Sequence, residues 1–113
     1  MWHLTLHRWT GDREATVQHA LEHLDDHLAW MREQQLAGKV LIAGPTPDKE
    51  LGIMLFGHMS KQDVHELCRT DPFISAGLRE YEVIPWEVHH LLGIGAFDTR
   101  TVNAMNQAKA HQT

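Results

Sequence analysis

The sequence predicts one small α+β domain of the ferredoxin-like type, with its elements in the order β-α-β-β-α-β. Three observations support this fold class. An alternating strand opens the chain, a long amphipathic helix follows, and two short apolar strands precede a second helical region and a last alternating strand. A length of 113 residues fits a single domain.

The first strand and the first helix are predicted from their periodicity. In the strand, Trp2, Leu4 and Leu6 fall on one face, and the other face carries His3, Thr5 and His7. Over residues 13–36, apolar residues recur at intervals of three and four, with their centre near Leu24 and Leu28. Gly38 follows the last apolar position and is typical of a helix end. We therefore expect a helix that packs on the core through its leucine face.

The second half of the fold is predicted from apolar runs and turn residues. Val40–Ala43 and Leu51–His58 are expected to be strands, separated by the turn cluster at 44–48. Ser60 begins a capping box for the second helix. A short helical turn then begins at Asp71-Pro72 and ends at Gly77. Leu78–Trp86 alternates as the fourth strand, and Val88–Leu92 is a possible edge piece.

The apolar character of the third strand indicates how such domains associate. Both helices of this fold cover the same face of the sheet, yet residues 51–56 are apolar on both faces. An uncovered apolar sheet face on a small protein marks an interface or a ligand cavity. Two such sheets face to face would enclose a barrel shared by two subunits. We therefore expect a homodimer.

Composition restricts the function classes. The formal net charge is −5 and no basic stripe is present, which disfavours nucleic-acid binding. No apolar run approaches the roughly 20 residues of a membrane-spanning helix. The first residues lack the features of a signal peptide, and Cys68 is the only cysteine, as is common in a reducing compartment. We expect a cytoplasmic protein with no membrane or nucleic-acid partner.

Histidine is unusually frequent, with ten residues. His19, His23 and His27 follow one another at intervals of four on the first helix, a spacing that can place two imidazoles on one metal ion. The stripe lacks an acidic neighbour of the His-Glu-x-x-His kind, so a solvated helix face is the favoured interpretation and no metal or cofactor is predicted. Helical geometry places His27 at the border of the core and His19 toward water.

Four further positions are candidate site residues, each with a structural alternative. Asp71 before Pro72 is either a helix cap alone or also the carboxylate that orients a histidine. His3 and His7 lie either on an ordinary exposed strand face or, if the leucine face of the strand packs under the helices, in the expected dimer cavity. His58, at the end of the third strand, is a weaker candidate of the same kind.

Taken together, these residues resemble the YCII-like family. The similarity includes His27-Leu28, Ala43-Gly44-Pro45, Asp71-Pro72-Phe73 and Val83-Ile84-Pro85-Trp86, and it extends over nearly all of residues 1–92. We accordingly divide the chain into a YCII-like domain at 1–97 and a polar tail at 98–113. The resemblance implies a dimeric α+β barrel and a working pair of a histidine on the first helix with the aspartate of Asp-Pro, here His27 and Asp71.

The resemblance also implies a function. One member type of the family dehydrochlorinates a chlorinated hydroxyhydroquinone in chloroaromatic breakdown. The expectation is a cofactor-free lyase acting on a small phenolic or quinoid molecule, with catalytic His27 and Asp71 and with His3, His7 and His58 binding the substrate. Two alternatives stay open: a non-catalytic dimer that binds a small metabolite, and an isomerase or oxygenase of the same barrel shape.

Overall fold

The computed structural model describes residues 1–91. The described elements are β1 (Trp2–Trp9), α1 (Arg13–Leu36), β2 (Val40–Pro45), β3 (Leu51–Phe56), α2 (Lys61–Cys68), α3 (Pro72–Ser75) and β4 (Arg79–Trp86). The predicted order is confirmed, with α3 as the short helical turn after Asp71. Residues 87–91 form no strand, so the possible edge piece is absent there. Leu92, the boundary at residue 97 and the tail at 98–113 lie outside the described residues.

The four strands form one antiparallel sheet in the order β2-β3-β1-β4, which confirms the ferredoxin-like α+β class. The two central strands are β3 and β1. The core lies on the helix side, where Met54 and Phe56 of β3 pack with Trp30 of α1 and with Val64 and Cys68 of α2. Burial raises the pKa of the Cys68 thiol to about 12, which makes it a packing group. Within residues 1–91, no helix is long and apolar enough to cross a membrane.

The two faces of β1 are reversed relative to the conditional prediction, in which Leu4 and Leu6 would lie under the helices. His3, Thr5 and His7 are at most 4% exposed and lie on the helix side. The pairing explains this, because Thr5 is opposite Met54 and His3 is opposite Phe56, so all four side chains share a face. Leu4 and Leu6 therefore belong to the other face of the sheet. His3 and His7 are therefore buried under the helices, on the face opposite to the one that the prediction assigned to them.

The orientation of α1 also differs from the prediction. Its buried residues are Thr16, Ala20, His27, Trp30 and Gln34, whereas Leu24 and Leu28 are 37% and 54% exposed. Two polar contacts fix this orientation: the Trp30 Nε1 donates to Thr70 Oγ1 at 2.8 Å, and His27 Nδ1 lies 2.7 Å from Asp71 Oδ1. These bonds keep the side of α1 that carries His27 and Trp30 buried, and the side that carries Leu24 and Leu28 is therefore exposed.

The face of the sheet away from the helices is apolar and has no helix against it in the described chain. Leu4, Ile53 and Leu55 lie near its centre, while Ile84 and Trp86 of β4 are 37% and 46% exposed. The prediction that β3 is apolar on both faces is thus confirmed.

Candidate active site

A cavity of about 500 Å³ lies between α1 and two strands of the sheet, the edge strand β2 and its neighbour β3. One wall is the exposed leucine stripe of α1, including Leu21, Leu24 and Leu28. The floor comes from Gly44 of β2 and from Gly52 and Met54 of β3, and the end is closed by Trp9, His27, Phe73 and Arg79. An apolar cleft with few polar groups at one end is the usual form of a small-molecule site.

The first polar group at that end is the pair of His27 and Asp71. The His27 Nδ1 and Asp71 Oδ1 are 2.7 Å apart, and the two residues are 8% and 0% exposed. Because Nδ1 is the hydrogen-bond donor to the carboxylate, Nε2 is the ring nitrogen available to a substrate. The carboxylate fixes the tautomer and orientation that an acid–base histidine requires.

Asp71 is at the same time the N-cap of α3. Its Oδ1 accepts from the backbone N–H of Phe73 at 3.1 Å, as the Asp-Pro sequence predicts. The two interpretations of Asp71 are therefore compatible: one oxygen caps the helix and contacts His27. The second oxygen, Oδ2, is buried and has no hydrogen-bond partner in the described part of the chain.

The imidazole of His27 is held between neighbouring rings. It stacks on Phe73 with the ring centroids 4.1 Å apart and an interplanar angle of 15°, and Trp30 lies at 6.3 Å on a similar plane. These contacts limit rotation of the ring and fix where Nε2 lies. Phe73 is supplied by the same Asp-Pro-Phe segment that supplies the carboxylate.

His7 lies beneath this pair. It is fully buried, its Nε2 is 2.7 Å from Thr5 Oγ1, and it stacks on Tyr81 at 5.9 Å. The pKa of His7 is lowered to about 4, mainly by burial and then by the positive charge of Arg79, against the effect of Asp71. His7 is therefore neutral near pH 7. It supports the site from below and does not line the cavity.

His3 and His58 are not brought to the pair. His3 lies four residues along β1 from His7, roughly 13 Å away at the rise of a strand, and burial lowers its pKa. The Nε2 of His58 accepts from Trp2 Nε1 at 3.3 Å near the same end of the sheet. A substrate-binding role for either residue stays a prediction that this geometry does not support.

Arg79, the first residue of β4, is a site residue that the sequence interpretation missed. Its guanidinium lies 4.2 Å from the ring centre of Trp9 and 4.9 Å from that of Phe73. Burial lowers the pKa of Arg79 and the nearby charge of Asp71 raises it. The sequence does contain a signal, because the alternation of β4 places Arg79 on the same face as Tyr81 and Val83, which face the helices.

Of the remaining histidines of α1, His19 is exposed, as predicted, and His23 is half-buried. Among residues 1–91, no three His, Cys, Asp or Glu side chains converge in a way that could hold a metal ion.

Comparison with known proteins agrees with this geometry. The sequence profile described as the YCII-related domain matches residues 1–87. The chain belongs to the YCII-related domain family. The match contains every residue of the His27–Asp71 site described above.

A solved structure similar to this YCII-related domain is 5-chloro-2-hydroxyhydroquinone dehydrochlorinase from Burkholderia phenoliruptrix AC1100, in complex with 2,5-dihydroxybenzoquinone. The two chains are 27% identical, with a TM-score of 0.61 over 77% of this chain and 94% of that chain. Among the curated proteins, none matches significantly.

Proposed function

We propose that this YCII-related protein is a cofactor-free lyase that eliminates chloride from a chlorinated hydroxyhydroquinone in chloroaromatic breakdown. The observation that carries the proposal is the 2.7 Å contact of His27 and Asp71 at the end of an apolar cavity. The dehydrochlorinase to which the chain is similar is in complex with a planar quinone, 2,5-dihydroxybenzoquinone, a molecule small enough to enter this cavity.

The chemistry requires a single group that moves protons. Removal of a hydroxyl proton allows the ring to accept a proton at the carbon that bears chlorine. Loss of a second hydroxyl proton then expels chloride and leaves a hydroxyquinone. The net change is loss of HCl, so the number of electrons is conserved and the reaction needs no redox partner.

In this proposal the Nε2 of His27 takes the first hydroxyl proton and returns it to carbon, then takes the second hydroxyl proton as chloride leaves and releases it to solvent. Asp71 stabilises the imidazolium that exists between the two steps, because its carboxylate contacts Nδ1. The stack on Phe73 keeps the ring in place during both transfers. Arg79 and the leucine wall would bind the substrate, whereas His7, which is neutral and does not line the cavity, would only support the pair from below.

We further propose that the protein acts as a homodimer through the uncovered face of its sheet. This face presents Ile84, Trp86 and the central Leu4, and a chain of this length gains from burying them. The cavity lies on the opposite, helix side of the sheet. The site is therefore complete in one subunit, and the expected shared cavity for His3 and His7 is not part of the proposal.

The test is a screen of chlorinated hydroxyhydroquinones with chloride release as the readout. We expect 5-chloro-2-hydroxyhydroquinone, the substrate in the name of the similar enzyme, to release chloride with wild-type protein and not with His27→Gln. Binding of the compound without chloride release would instead support a non-catalytic metabolite-binding protein. Equal release by wild type and His27→Gln would refute the assignment of His27.

A further inference from the structure

We propose that Arg79 binds an anionic oxygen of a planar aromatic substrate, so that the site selects the ionised phenolate form. The inference deepens the proposed function and rests on it for the class of substrate.

The first support is that Arg79 lies in the site with no carboxylate of the described residues within ion-pair distance, although the charge of Asp71 is near enough to act on it. Within residues 1–91, the ion pairs of arginine are those of Arg8 with Glu82 at 3.0 Å and Arg13 with Glu50 at 2.7 Å, both well exposed. Arg79 has no such pair, and its Nε is buried without a hydrogen-bond partner. A guanidinium in a partly desolvated place, with donors to spare, is a site for an anion.

The second support is the way in which the guanidinium is fixed. The rings of Trp9 and Phe73 lie against it at 4.2 and 4.9 Å. On another side is Gly52, where an added Cβ would come within 3.0 Å of a terminal guanidinium nitrogen. The position is therefore held before any ligand binds, which reduces the ordering cost of binding.

The third support is the distance to the proton-transfer group. Phe73 contacts both groups, with 4.1 Å to the His27 ring and 4.9 Å to Arg79 Cζ, so these two lie at most about 9 Å apart. Both groups also line the cavity, so one benzenoid ring bound there, with oxygens at both ends, can reach both. Arg79 would then hold one oxygen as an anion while His27 acts on the other side of the ring.

The experiment measures equilibrium binding of 4-nitrophenolate and of its neutral analogue 4-nitroanisole, neither of which can release chloride. Wild type should bind the phenolate at least about tenfold more tightly than the anisole, and Arg79→Gln should weaken the phenolate alone by about 10- to 100-fold, the usual effect of one charged hydrogen bond. Arg8→Gln, a charge change on the far face of the sheet, should leave both affinities unchanged.

A second variant, at Gly52, keeps the charge of Arg79 but shifts the position of its guanidinium. Gly52→Ala forces the guanidinium to move by a few tenths of an ångström, and we expect it to weaken phenolate binding several-fold while the thermal midpoint stays near that of wild type. This variant decides the matter if Arg79→Gln does not fold.

Three results would overturn the inference: equal loss of both ligands in Arg79→Gln, no loss of either, or benzoate binding more tightly than the phenolate. The last would mean an aromatic carboxylate site. Phenolate selectivity without chloride release from any hydroxyhydroquinone would refute the proposed lyase and leave the anion site standing, so the two failures are distinguishable.

Discussion

Asp71 has two roles: it caps α3 and it contacts His27 Nδ1, and the same oxygen, Oδ1, serves both. Substitutions of Asp71 can distinguish these roles. In Asp71→Asn, the amide oxygen can still accept from Phe73 N–H, so the cap is kept. The negative charge beside His27 Nδ1 is lost, and the amide nitrogen takes the place of Oδ2, which is buried without a partner. The unpaired donor costs about 1–2 kcal/mol of stability. In Asp71→Ala, loss of the cap and of the charged hydrogen bond together costs about 3–4 kcal/mol.

These magnitudes predict different patterns in two assays. One kcal/mol shifts the thermal midpoint of a domain of this size by about 4–8 °C, so Asn should lower it by roughly 5–10 °C and Ala by more than about 12 °C. Turnover should fall by about 10²-fold in both variants, less than the about 10⁴-fold known for the equivalent change in a serine protease triad. The assays are chloride release from 5-chloro-2-hydroxyhydroquinone and thermal unfolding by circular dichroism. If Asn keeps turnover within about threefold of wild type while Ala unfolds early, Asp71 is only a cap and the reasoning is refuted.

Three further predictions follow from burial and charge. His27→Ala should lower turnover by about 10²- to 10⁴-fold and the free energy of unfolding by about 1–3 kcal/mol. His19→Ala, at an exposed position, should change neither. Equal small effects of both variants on chloride release would contradict the catalytic role of His27. The folded-state pKa of His7, about 4, is below the unfolded value of 6.5, so the unfolded chain binds more protons between these two pH values. The stabilisation is therefore complete above pH 6.5, and the free energy of unfolding falls by up to about 3 kcal/mol as the pH drops to 4. His7→Gln should lack this share of the acid sensitivity in urea unfolding at pH 7 and pH 4.5, and an unchanged pH dependence would show that His7 titrates normally. Light scattering of the wild type at micromolar concentration should give twice the chain mass of 13.0 kDa. Ile84→Glu should give the monomer mass, whereas the control Leu36→Glu, at an exposed position on α1, should give the dimer mass. A wild-type monomer would refute the homodimer.

The order of elements could be predicted because each carries its own local signal. The alternation of β1 and the spacing of apolar residues over 13–36 are properties of neighbouring residues, and both elements have the predicted bounds or nearly so. The pairing of His27 with Asp71 was different: it joins residues 44 positions apart, and only the family resemblance connected them. Asp71 itself was visible in the sequence as a cap.

The faces of β1 and α1 could not be predicted by counting apolar residues. On both elements the more polar stripe is the buried one, and several of its polar atoms have partners inside: Thr5 with His7, Trp30 with Thr70, and His27 with Asp71. The Nδ1 atoms of His3 and His7 have none among the described residues. A buried polar group costs little once it is hydrogen-bonded, and the two partners of α1 come from distant parts of the chain. Arg79 was missed for a related reason: the alternation of β4 places it on the helix-facing side, but its position against the rings of Trp9 and Phe73 exists only in the folded chain.

The orientation of α1, in which His27 is buried and the leucine stripe is exposed, connects the fold with the proposed chemistry. If the leucine stripe packed on the sheet, as hydrophobicity alone favours, it would fill the space that is now the cavity and His27 would turn away from Asp71. The structure instead keeps Leu21 and Leu28 60% and 54% exposed along the cavity wall. Full burial of a leucine is worth about 1.5–3 kcal/mol, so leaving two of them half exposed is a stability loss of a few kcal/mol. A planar apolar ligand in the cavity would recover part of it. We therefore expect ligand binding to raise the thermal midpoint of the protein even in His27→Gln, where no chemistry occurs. A substrate analogue that leaves that midpoint unchanged at high concentration would show that the cavity does not bind it.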